Sequence, residues 1–253
     1  MKVFIVLLLC YIHHNTGSPV NPIAAFQHKS EVPGFPLDCQ DIWDRGQHED
    51  GVYIIYPQGE QRPLPVYCDM TTSGKIWTVF QKRFDGLVNF QQSWQYYVNG
   101  FGNADGEYWL GLQNIYLLTM HGDYELRVEM EDMEGNTVFA EYGNFSLAHN
   151  ALNPDNDGYR LHLGAFTEGG AGDALSNHAG HMFSTYDHDR DEDLQHCAEY
   201  WGGGFWYYPE GCAGSGLNAR YKATEPLQNA FCWTSWVDFP DTLRASQMKI
   251  RRV

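Results

Sequence analysis

From about residue 165 to the last strand-like run, the sequence has little hydrophobic periodicity. Glycine, aspartate, asparagine and aromatic residues crowd this segment until MKIRRV closes the chain as a predicted strand. A compact domain rarely contains so long an irregular stretch unless the stretch is functional or is fixed by other means. The stretch is therefore predicted to be functional or to be held by something other than secondary structure, and a disulfide and a metal ion are the obvious candidates.

Composition describes a globular, acidic protein. With 253 residues, 43% of them hydrophobic, the chain can bury a sizeable core. Its 32 acidic and 16 basic residues give a formal net charge of −16, which would repel a phosphate backbone and makes nucleic acid an unexpected partner. The acidic excess is compatible with binding calcium or a basic protein surface, and also with simple solubility.

The N-terminus predicts secretion. MKVFIVLLLCYIHHNTGSPV has a lysine, a ten-residue apolar run and then small polar residues, as expected of a signal peptide over 1–17. An uncleaved anchor would need about 20 apolar residues, so no membrane span is expected. Residues 18–36 contain four prolines and are predicted to form a short extended leader. The ordered domain is predicted over 37–253, in the extracellular space or matrix.

Secretion makes the cysteines candidates for disulfides. Once the signal peptide is removed, the count is odd, and spacing alone does not fix the pairing. The simplest pairs are those close in sequence, which would leave Cys232 either buried as a small apolar residue or exposed to bridge two chains. The five cysteines are Cys39, Cys68, Cys197, Cys212 and Cys232.

Short runs rich in β-branched and aromatic residues predict strands in the first half of the chain. Three of these runs are bounded by turn residues and indicate a small antiparallel sheet: GVYIIYP (51–57), PVYCDM (65–70) and IWTVFQKR (76–83). DYELRVEMED (123–132) and NTVFAEYGNF (136–145) flank a Glu-Gly-Asn turn and predict a hairpin. WLGLQNIYLLT (109–119) has apolar residues near helical spacing and predicts a short helix.

FSTYDHDRDEDLQHC (183–197) has an aspartate at every second position from Asp187 to Asp193. An EF-hand is excluded, because a loop starting at Asp187 has Glu192 where glycine is required and Ala198 where glutamate is required. Five acidic residues converging within seven positions would repel one another without a cation. A calcium site and a solvated acidic loop are equally compatible with this spacing.

CAEYWGGGFWYYPEGC (197–212) places six aromatic residues and a Gly-Gly-Gly run between two cysteines. Tryptophan and tyrosine on irregular backbone can stack on sugar rings or pack against acetyl methyl groups. The same residues can also form the core that a segment poor in helices otherwise lacks. For most of them individually we expect the core interpretation.

Catalytic signals are weak, and we predict no enzyme. His178 and His181 form an H-x-x-H without a third ligand, a pattern that is more often structural in a glycine-rich loop. GCAGSGL (211–217) lacks the first glycine of the nucleophile-elbow motif. Asn144 begins Asn-Phe-Ser, a predicted glycosylation site in a secreted chain.

Taken together, the motifs resemble the fibrinogen C-terminal-type domain over 37–253. The resemblance is carried by DGVYIIYP, VYCDMTT, WTVFQKRFDG, GFGNADGEYWLGLQNIYLLT, YELRVEMEDMEGNT, GGAGDALSNHAGHMFST and the terminal MKIRRV. It implies an α+β fold with a small disulfide-bonded N-terminal sheet, a central twisted antiparallel sheet with short helices, and a loop-rich calcium-binding C-terminal part.

The resemblance also implies residue roles in this third part. It supports disulfides Cys39–Cys68 and Cys197–Cys212. It assigns the calcium ligands to the carboxylates of Asp189 and Asp191 and to the backbone carbonyls of Asp193 and Gln195. Asp187 and Glu192 are then expected to lie outside the first coordination sphere.

Two functions follow from the resemblance. One is a secreted calcium-binding adhesion protein of the extracellular matrix that binds microfibril, elastin or collagen components; the other is a soluble innate-immune lectin for acetylated glycans. Lectin-type members have a histidine after the second loop cysteine, where this chain has Ala213, and a pocket tyrosine that falls at or near Leu227. Trp201, Phe205 and Tyr207 are predicted to line an altered pocket.

With no coiled coil or collagen repeat present, a homo-oligomer is expected to form through the domain or through a cysteine.

Overall fold

The computed structural model describes residues 34–148, 157–209, 211–221, 230–237 and 241–253; the predicted signal peptide and most of the predicted leader lie outside these ranges. The helices are α1 (Cys39–Asp44), α2 (Trp94–Asn99), α3 (Leu112–Thr119) and α4 (Cys197–Trp201). The strands are β1 (Gly51–Ile55), β2 (Leu64–Asp69), β3 (Trp77–Arg83), β4 (Phe101–Gly102), β5 (Tyr108–Trp109), β6 (Tyr124–Glu131), β7 (Thr137–Tyr142), β8 (Ser146–Leu147), β9 (Leu161–His162), β10 (Phe166–Gly169) and β11 (Ala245–Arg252). Within these ranges, no helix is long and apolar enough to span a bilayer.

One antiparallel sheet contains most of the described strands. Its order is β1-β2-β3-β11-β6-β7-β10, and β5 and β4 extend it from β3. The last strand, β11, pairs with β3 on one side and with β6 on the other. The N-terminal sheet and the central sheet predicted from the sequence are therefore parts of one sheet joined by the C-terminal strand, and the α+β class is confirmed.

The predicted hairpin is confirmed as β6 and β7. The two strands pair from Leu126 opposite Tyr142 to Glu131 opposite Thr137. Gly135 in the connecting turn has a φ of 88°, a backbone conformation that favours glycine. The strict alternation of the sequence thus reports a strand with one buried face, as the burial pattern of β6 shows.

The predicted helix over 109–119 begins three residues later, at Leu112. Trp109 belongs to β5, and Gly111 has a φ of 105° immediately before the helix. A Cβ atom on Gly111 would lie 2.7 Å from the carbonyl carbon of Asn99, so a larger residue does not fit. The apolar spacing runs across this boundary because Trp109, at the end of β5, and Leu112, at the start of α3, are both buried in the same core.

Aromatic side chains fill the core of the irregular region. The Trp206 ring centroid lies 5.0 Å from that of Phe183 and 6.2 Å from that of Trp109. The Trp206 Nε1–H donates to the backbone carbonyl of Tyr159 at 2.8 Å. Such side chains bury a large apolar area and also satisfy backbone groups that no strand or helix pairs.

The Cys39–Cys68 disulfide connects α1 to β2, with a Cα–Cα distance of 5.5 Å, and confirms the first predicted pair. Both cysteines are fully buried. Asp38 caps α1 by accepting a hydrogen bond from the Asp41 amide at 3.1 Å. The N-terminal part of the domain is thus fixed by a cross-link as well as by strand pairing.

Candidate functional site

The second disulfide, Cys197–Cys212, closes the aromatic loop and confirms the second predicted pair. Cys197 begins the short helix α4, which ends at Gly202 in a left-handed conformation with a φ of 74°. Cys212 itself has a φ of 69°, which is unusual for a residue other than glycine. This disulfide anchors the end of the acidic stretch 187–193, called the Asp ladder below.

Alternate aspartates of the Asp ladder bind the backbone two residues ahead. Asp189 accepts a hydrogen bond from the Asp191 amide at 3.3 Å, and Asp191 accepts one from the Asp193 amide at 3.1 Å. Asp193 in turn accepts one from the Gln195 amide at 2.8 Å. These are Asx turns, in which a short carboxylate side chain replaces a backbone partner. The period-two spacing therefore gives the ladder a defined backbone.

Asp191 lies at the centre of the ladder and is 1% exposed. Its second carboxylate oxygen accepts a hydrogen bond from the Cys197 amide at 2.9 Å, which fixes the side chain against the disulfide. Burial, together with the neighbouring charge of Asp189, raises the pKa of Asp191 to about 6. The fold thus holds two carboxylates close together at a site where their charges repel.

His196 completes the cluster, and the sequence did not indicate it. One donor atom from each of Asp189, Asp191 and His196 lies within 4.8 Å of the other two. The Nε2–H of His196 donates to the Tyr186 carbonyl at 3.0 Å, which fixes the orientation of the ring. Nδ1 is buried without a hydrogen-bond partner among the described residues and lies 3.9 Å from an Asp189 oxygen. In the sequence, the only indication of this role is that His196 directly precedes Cys197.

Two carboxylates held close together suit a cation better than an anion. Oxygen ligands match calcium, which also takes backbone carbonyls and water to reach six to eight ligands. The half-buried Asp193 turns its side chain toward Gly211, whose amide lies 3.5 Å from its second oxygen. That orientation leaves only a backbone role for Asp193 in the cluster; the carbonyl ligands Asp193 and Gln195 stay a prediction.

The first aspartate of the ladder lies apart from the cluster. One Asp187 oxygen accepts hydrogen bonds from the Trp94 amide and from the Thr185 hydroxyl, both at 2.8 Å. Asp187 therefore ties the ladder to the start of α2. Glu192 is exposed, with a φ of 62°.

The predicted pocket residues in the aromatic loop are buried. Trp201 is 5% exposed, and Phe205 and Tyr207 are each 1% exposed. The Tyr207 hydroxyl donates to the Gly203 carbonyl at 2.6 Å, inside the loop. Ala213 is half-buried, and Leu227 lies outside the described residues. A ligand-binding role for these five residues stays a prediction.

Exposed apolar side chains flank the ladder instead. Tyr186 precedes the ladder and is 44% exposed. Leu194 and Tyr200 follow the ladder; Leu194 is fully exposed, and Tyr200 is 38% exposed. No motif in the sequence points to these residues. Their signal is the placement of large apolar residues inside an otherwise acidic stretch.

His178 is a buried structural residue beneath the aromatic loop. Its Nδ1–H donates to the Trp206 carbonyl at 2.7 Å, and its Nε2 accepts from the amides of Gly214 and Ser215 at 3.1 and 3.2 Å. Burial lowers the pKa of His178 to about 4, so the ring is neutral near pH 7. The H-x-x-H motif therefore includes one histidine whose two nitrogens are both used by the backbone.

The structure also describes the surroundings of two further predicted residues, Asn144 and Cys232. Asn144 is exposed in the turn between β7 and β8, with a φ of 48° that asparagine tolerates. Cys232 is 4% exposed and forms no disulfide, as expected of a buried apolar side chain rather than of a bridge between chains.

The nine-stranded antiparallel sheet, the Asp ladder and the disulfide-closed aromatic loop after it together define the class of protein. Residues 35–253 match the family described as fibrinogen beta and gamma chains, C-terminal globular domain, and the chain belongs to this family.

Particular relatives are similar over nearly the same range. Microfibril-associated glycoprotein 4 of Mus musculus is 51% identical over 219 residues, which cover 86% of this chain and 84% of that protein. The fibrinogen-like globe domain of human ANGPTL6 is 40% identical with a TM-score of 0.78, covering 87% of this chain and 98% of that one. That of human ANGPTL2 is 39% identical with a TM-score of 0.79, covering 86% and 99%. These similarities support an extracellular fibrinogen-like protein.

Proposed function

We propose that this chain is a secreted calcium-binding protein of the extracellular matrix that attaches to microfibril, elastin or collagen components. The single observation that carries the proposal is the 51% identity, over most of both chains, to a relative whose name describes it as microfibril-associated. The Asp ladder supplies a suitable ion site. The whole function is binding, with no catalytic step.

In this proposal Asp189 and Asp191 supply carboxylate ligands, and Asp193 and Gln195 supply backbone carbonyls. Bound calcium would neutralise these two carboxylates, and the pKa of Asp191 is raised by burial and by the nearby charge of Asp189. Asp191 is already oriented by the Cys197 amide, so little conformational entropy remains to be lost when the ion binds. The disulfide and the ion together would fix the loop that regular secondary structure does not.

The exposed residues beside the ladder are the proposed contact surface. Tyr186, Leu194 and Tyr200 present apolar area next to carboxylates, a combination suited to a partner with both apolar and basic groups. The ion would act on partner binding by holding these side chains in place. The predicted homo-oligomer belongs to this proposal too, since several copies would raise the avidity for a repetitive matrix.

Recognition of acetylated glycans is the alternative that the same experiment tests. It would require a pocket near Ala213, and Trp201, Phe205 and Tyr207 contribute buried core surface there rather than an open cleft. The burial of these rings favours the matrix proposal.

The test is a solid-phase binding assay with the purified secreted chain. Immobilised elastin, collagen and acetylated albumin are compared in calcium and in EDTA. We expect binding to elastin or collagen in calcium, loss of that binding in EDTA, and no retention on acetylated albumin. Retention on acetylated albumin that free acetate releases, without matrix binding, would establish the lectin instead.

Two variants assign the calcium dependence to the ladder. Asp189→Asn keeps the shape of a half-exposed ligand and removes its charge, and we expect it to bind matrix in calcium as weakly as the wild type does in EDTA. Glu199→Gln removes the same charge from an exposed position on α4 outside the ladder and should bind as the wild type does. Equal binding by both variants would contradict the assigned site.

A further inference from the structure

Arg83 at the end of β3 is a buried cation that forms no salt bridge with any of the described residues. It is 2% exposed, and burial lowers the pKa of its guanidinium to about 10. Its Nη1 donates to the carbonyls of Leu217 and Ala219, at 3.1 and 2.5 Å. Its Nε is buried and has no hydrogen-bond partner among the described residues. A buried polar group left in this state is costly, and folded proteins seldom leave one unexplained.

The carboxylate near Arg83 belongs to Glu107, and its oxygens already accept hydrogen bonds from backbone amides. One Glu107 oxygen accepts hydrogen bonds from the amides of Phe84, Asp85 and Gly86, at 2.7, 3.0 and 2.9 Å. The other accepts from the Val88 amide at 3.0 Å. Glu107 therefore shapes the turn after β3, and no ion pair of the described residues includes Arg83.

Aromatic rings surround the guanidinium. Its central carbon lies 4.3 Å from the ring centroid of Phe90, 4.6 Å from that of Phe231 and 5.4 Å from that of Tyr221. These contacts stabilise the cation in place of water. They make the surroundings of the unused Nε apolar, so any anion that reaches it would be bound in a low-dielectric environment.

Arg83 lines a cavity of about 290 Å³ between the turn 86–91 and the segment 219–221. A second arginine, Arg220, lines the same cavity from an exposed position, and its side chain forms no ion pair within the described residues. It packs over Gly202, where a Cβ atom would lie 2.6 Å from its Nε. Leu87, at the turn, is 86% exposed. On a chain with a net charge of −16, this cavity is lined by two arginines that form no ion pair within the described part of the chain.

We propose that this cavity is a binding site for a small organic carboxylate, with Arg83 at its base and Arg220 at its rim. The carboxylate would bind the guanidinium of Arg83 from the cavity side, and its apolar group would contact Phe90 and Val88. The site is separate from the Asp ladder and does not depend on the calcium proposal.

The apolar residues that line the cavity determine which class of anion it can bind. Guanidinium groups bind carboxylates and phosphates well, because both match the planar fork of donors. Inorganic phosphate and sulfate are strongly hydrated and gain nothing from aromatic walls, whereas an organic acid buries its apolar part there. The volume is close to the lower end of small-molecule sites, about 300 Å³, so the acid must be small.

The test is an NMR titration that follows the Arg83 Nε–H signal, identified by its proximity to the ring protons of Phe90 and Phe231. Benzoate is the probe, and methyl benzoate is the matched neutral compound with the same ring. We expect benzoate to shift the Arg83 signal saturably, in calcium and in EDTA alike, and methyl benzoate to leave the signal in place. Sodium chloride at equal ionic strength serves as the blank.

Variants at the rim keep the core intact. Arg220→Gln should weaken benzoate binding by up to about fivefold, because an exposed ionic contact contributes little more than that. Arg62→Gln removes an exposed arginine far from the cavity and should change nothing. An Arg83 signal that stays fixed, that moves equally with methyl benzoate, or that never saturates would overturn the proposal.

Discussion

Individual aspartates of the Asp ladder differ in role although they alternate regularly in the sequence. Asp187 binds the start of α2, whereas Asp191 is buried and bound to the Cys197 amide. Asp189 remains half-exposed beside Asp191 and His196. The same residue type thus anchors a helix, lies buried and lies half-exposed within five positions, because the turn after each aspartate changes the direction of the chain.

Asp189→Asn is expected to abolish the stabilisation by calcium without damaging the fold. The wild type should be more stable in calcium than in EDTA by about 2.7 kcal/mol at a hundredfold excess of calcium over Kd. The variant should unfold in calcium with the free energy that the wild type has in EDTA, as measured by urea denaturation. A wild type whose stability is indifferent to EDTA would contradict the calcium site.

His178 should make the fold sensitive to mild acid. Its folded pKa of about 4 lies below the ordinary value of 6.5, so between these values the unfolded chain binds a proton that the folded chain does not. Stability is therefore lost as the pH falls from 6.5 to 4, by about 3 kcal/mol from this residue.

The measurement compares the pH dependence of the free energy of unfolding in three proteins. His178→Asn should be less stable at pH 7 but should lose less stability on acidification than the wild type. His162→Asn alters an exposed histidine and should follow the wild-type slope. Identical slopes in all three proteins would show that His178 is not the responsible group.

At the scale of elements, the short helix α4 is held by its disulfide rather than by its length. A five-residue helix is too short to be stable in isolation. Cys197 at its start is joined to Cys212, 15 residues later, and the loop between them buries Trp201, Phe205 and Tyr207. The cross-link therefore supports both the ladder before it and the aromatic core after it.

Replacing Cys197 and Cys212 together by serine should destabilise the domain by about 3 kcal/mol, the chain-entropy value for a 15-residue loop. We also expect weaker calcium stabilisation, because the backbone amide at position 197, which donates to Asp191, would no longer be held in place by the cross-link. Thermal unfolding in calcium and in EDTA measures both effects. A double variant with wild-type stability would contradict this role, and Cys232→Ser, which breaks no disulfide, controls for the chemical change.

At the scale of the whole molecule, Lys249 links three strands across the sheet. It is fully buried on β11, and its Nζ donates to Asp69 on β2 at 2.6 Å and to Glu129 on β6 at 2.5 Å. Residues 69 and 249 are 180 positions apart in sequence. The cation therefore joins the N-terminal part of the sheet to its centre through the last strand.

Lys249→Met should destabilise the protein by about 3–5 kcal/mol, because it leaves the buried Asp69 carboxylate without its partner. Lys75→Met is the matched control. Lys75 pairs with Glu125 at 3.0 Å but is 32% exposed, so its loss should cost about 1 kcal/mol or less. Chemical denaturation of both variants measures the difference, and equal losses would refute the buried-pair account.

The strands and the hairpin were predictable because their patterns are local. Alternation in β6 places every second residue in the core, and the turn at Gly135 needs only adjacent residues. The start of α3 was not predictable to the residue, since Trp109 and Leu112 face one core from a strand and a helix. The order of the strands, with β11 in the middle, depends on contacts between distant parts of the chain.

The sequence by itself determined the family, the α+β class, the local strands and the acidic stretch that can hold an ion, because motifs and periodicity are properties of neighbouring residues. Only the tertiary structure decided that His196 joins Asp189 and Asp191, that the aromatic loop turns its rings into the core, and that Arg83 lines a cavity without an ion pair among the described residues. The physical reason is that burial and charge pairing depend on which distant segments meet.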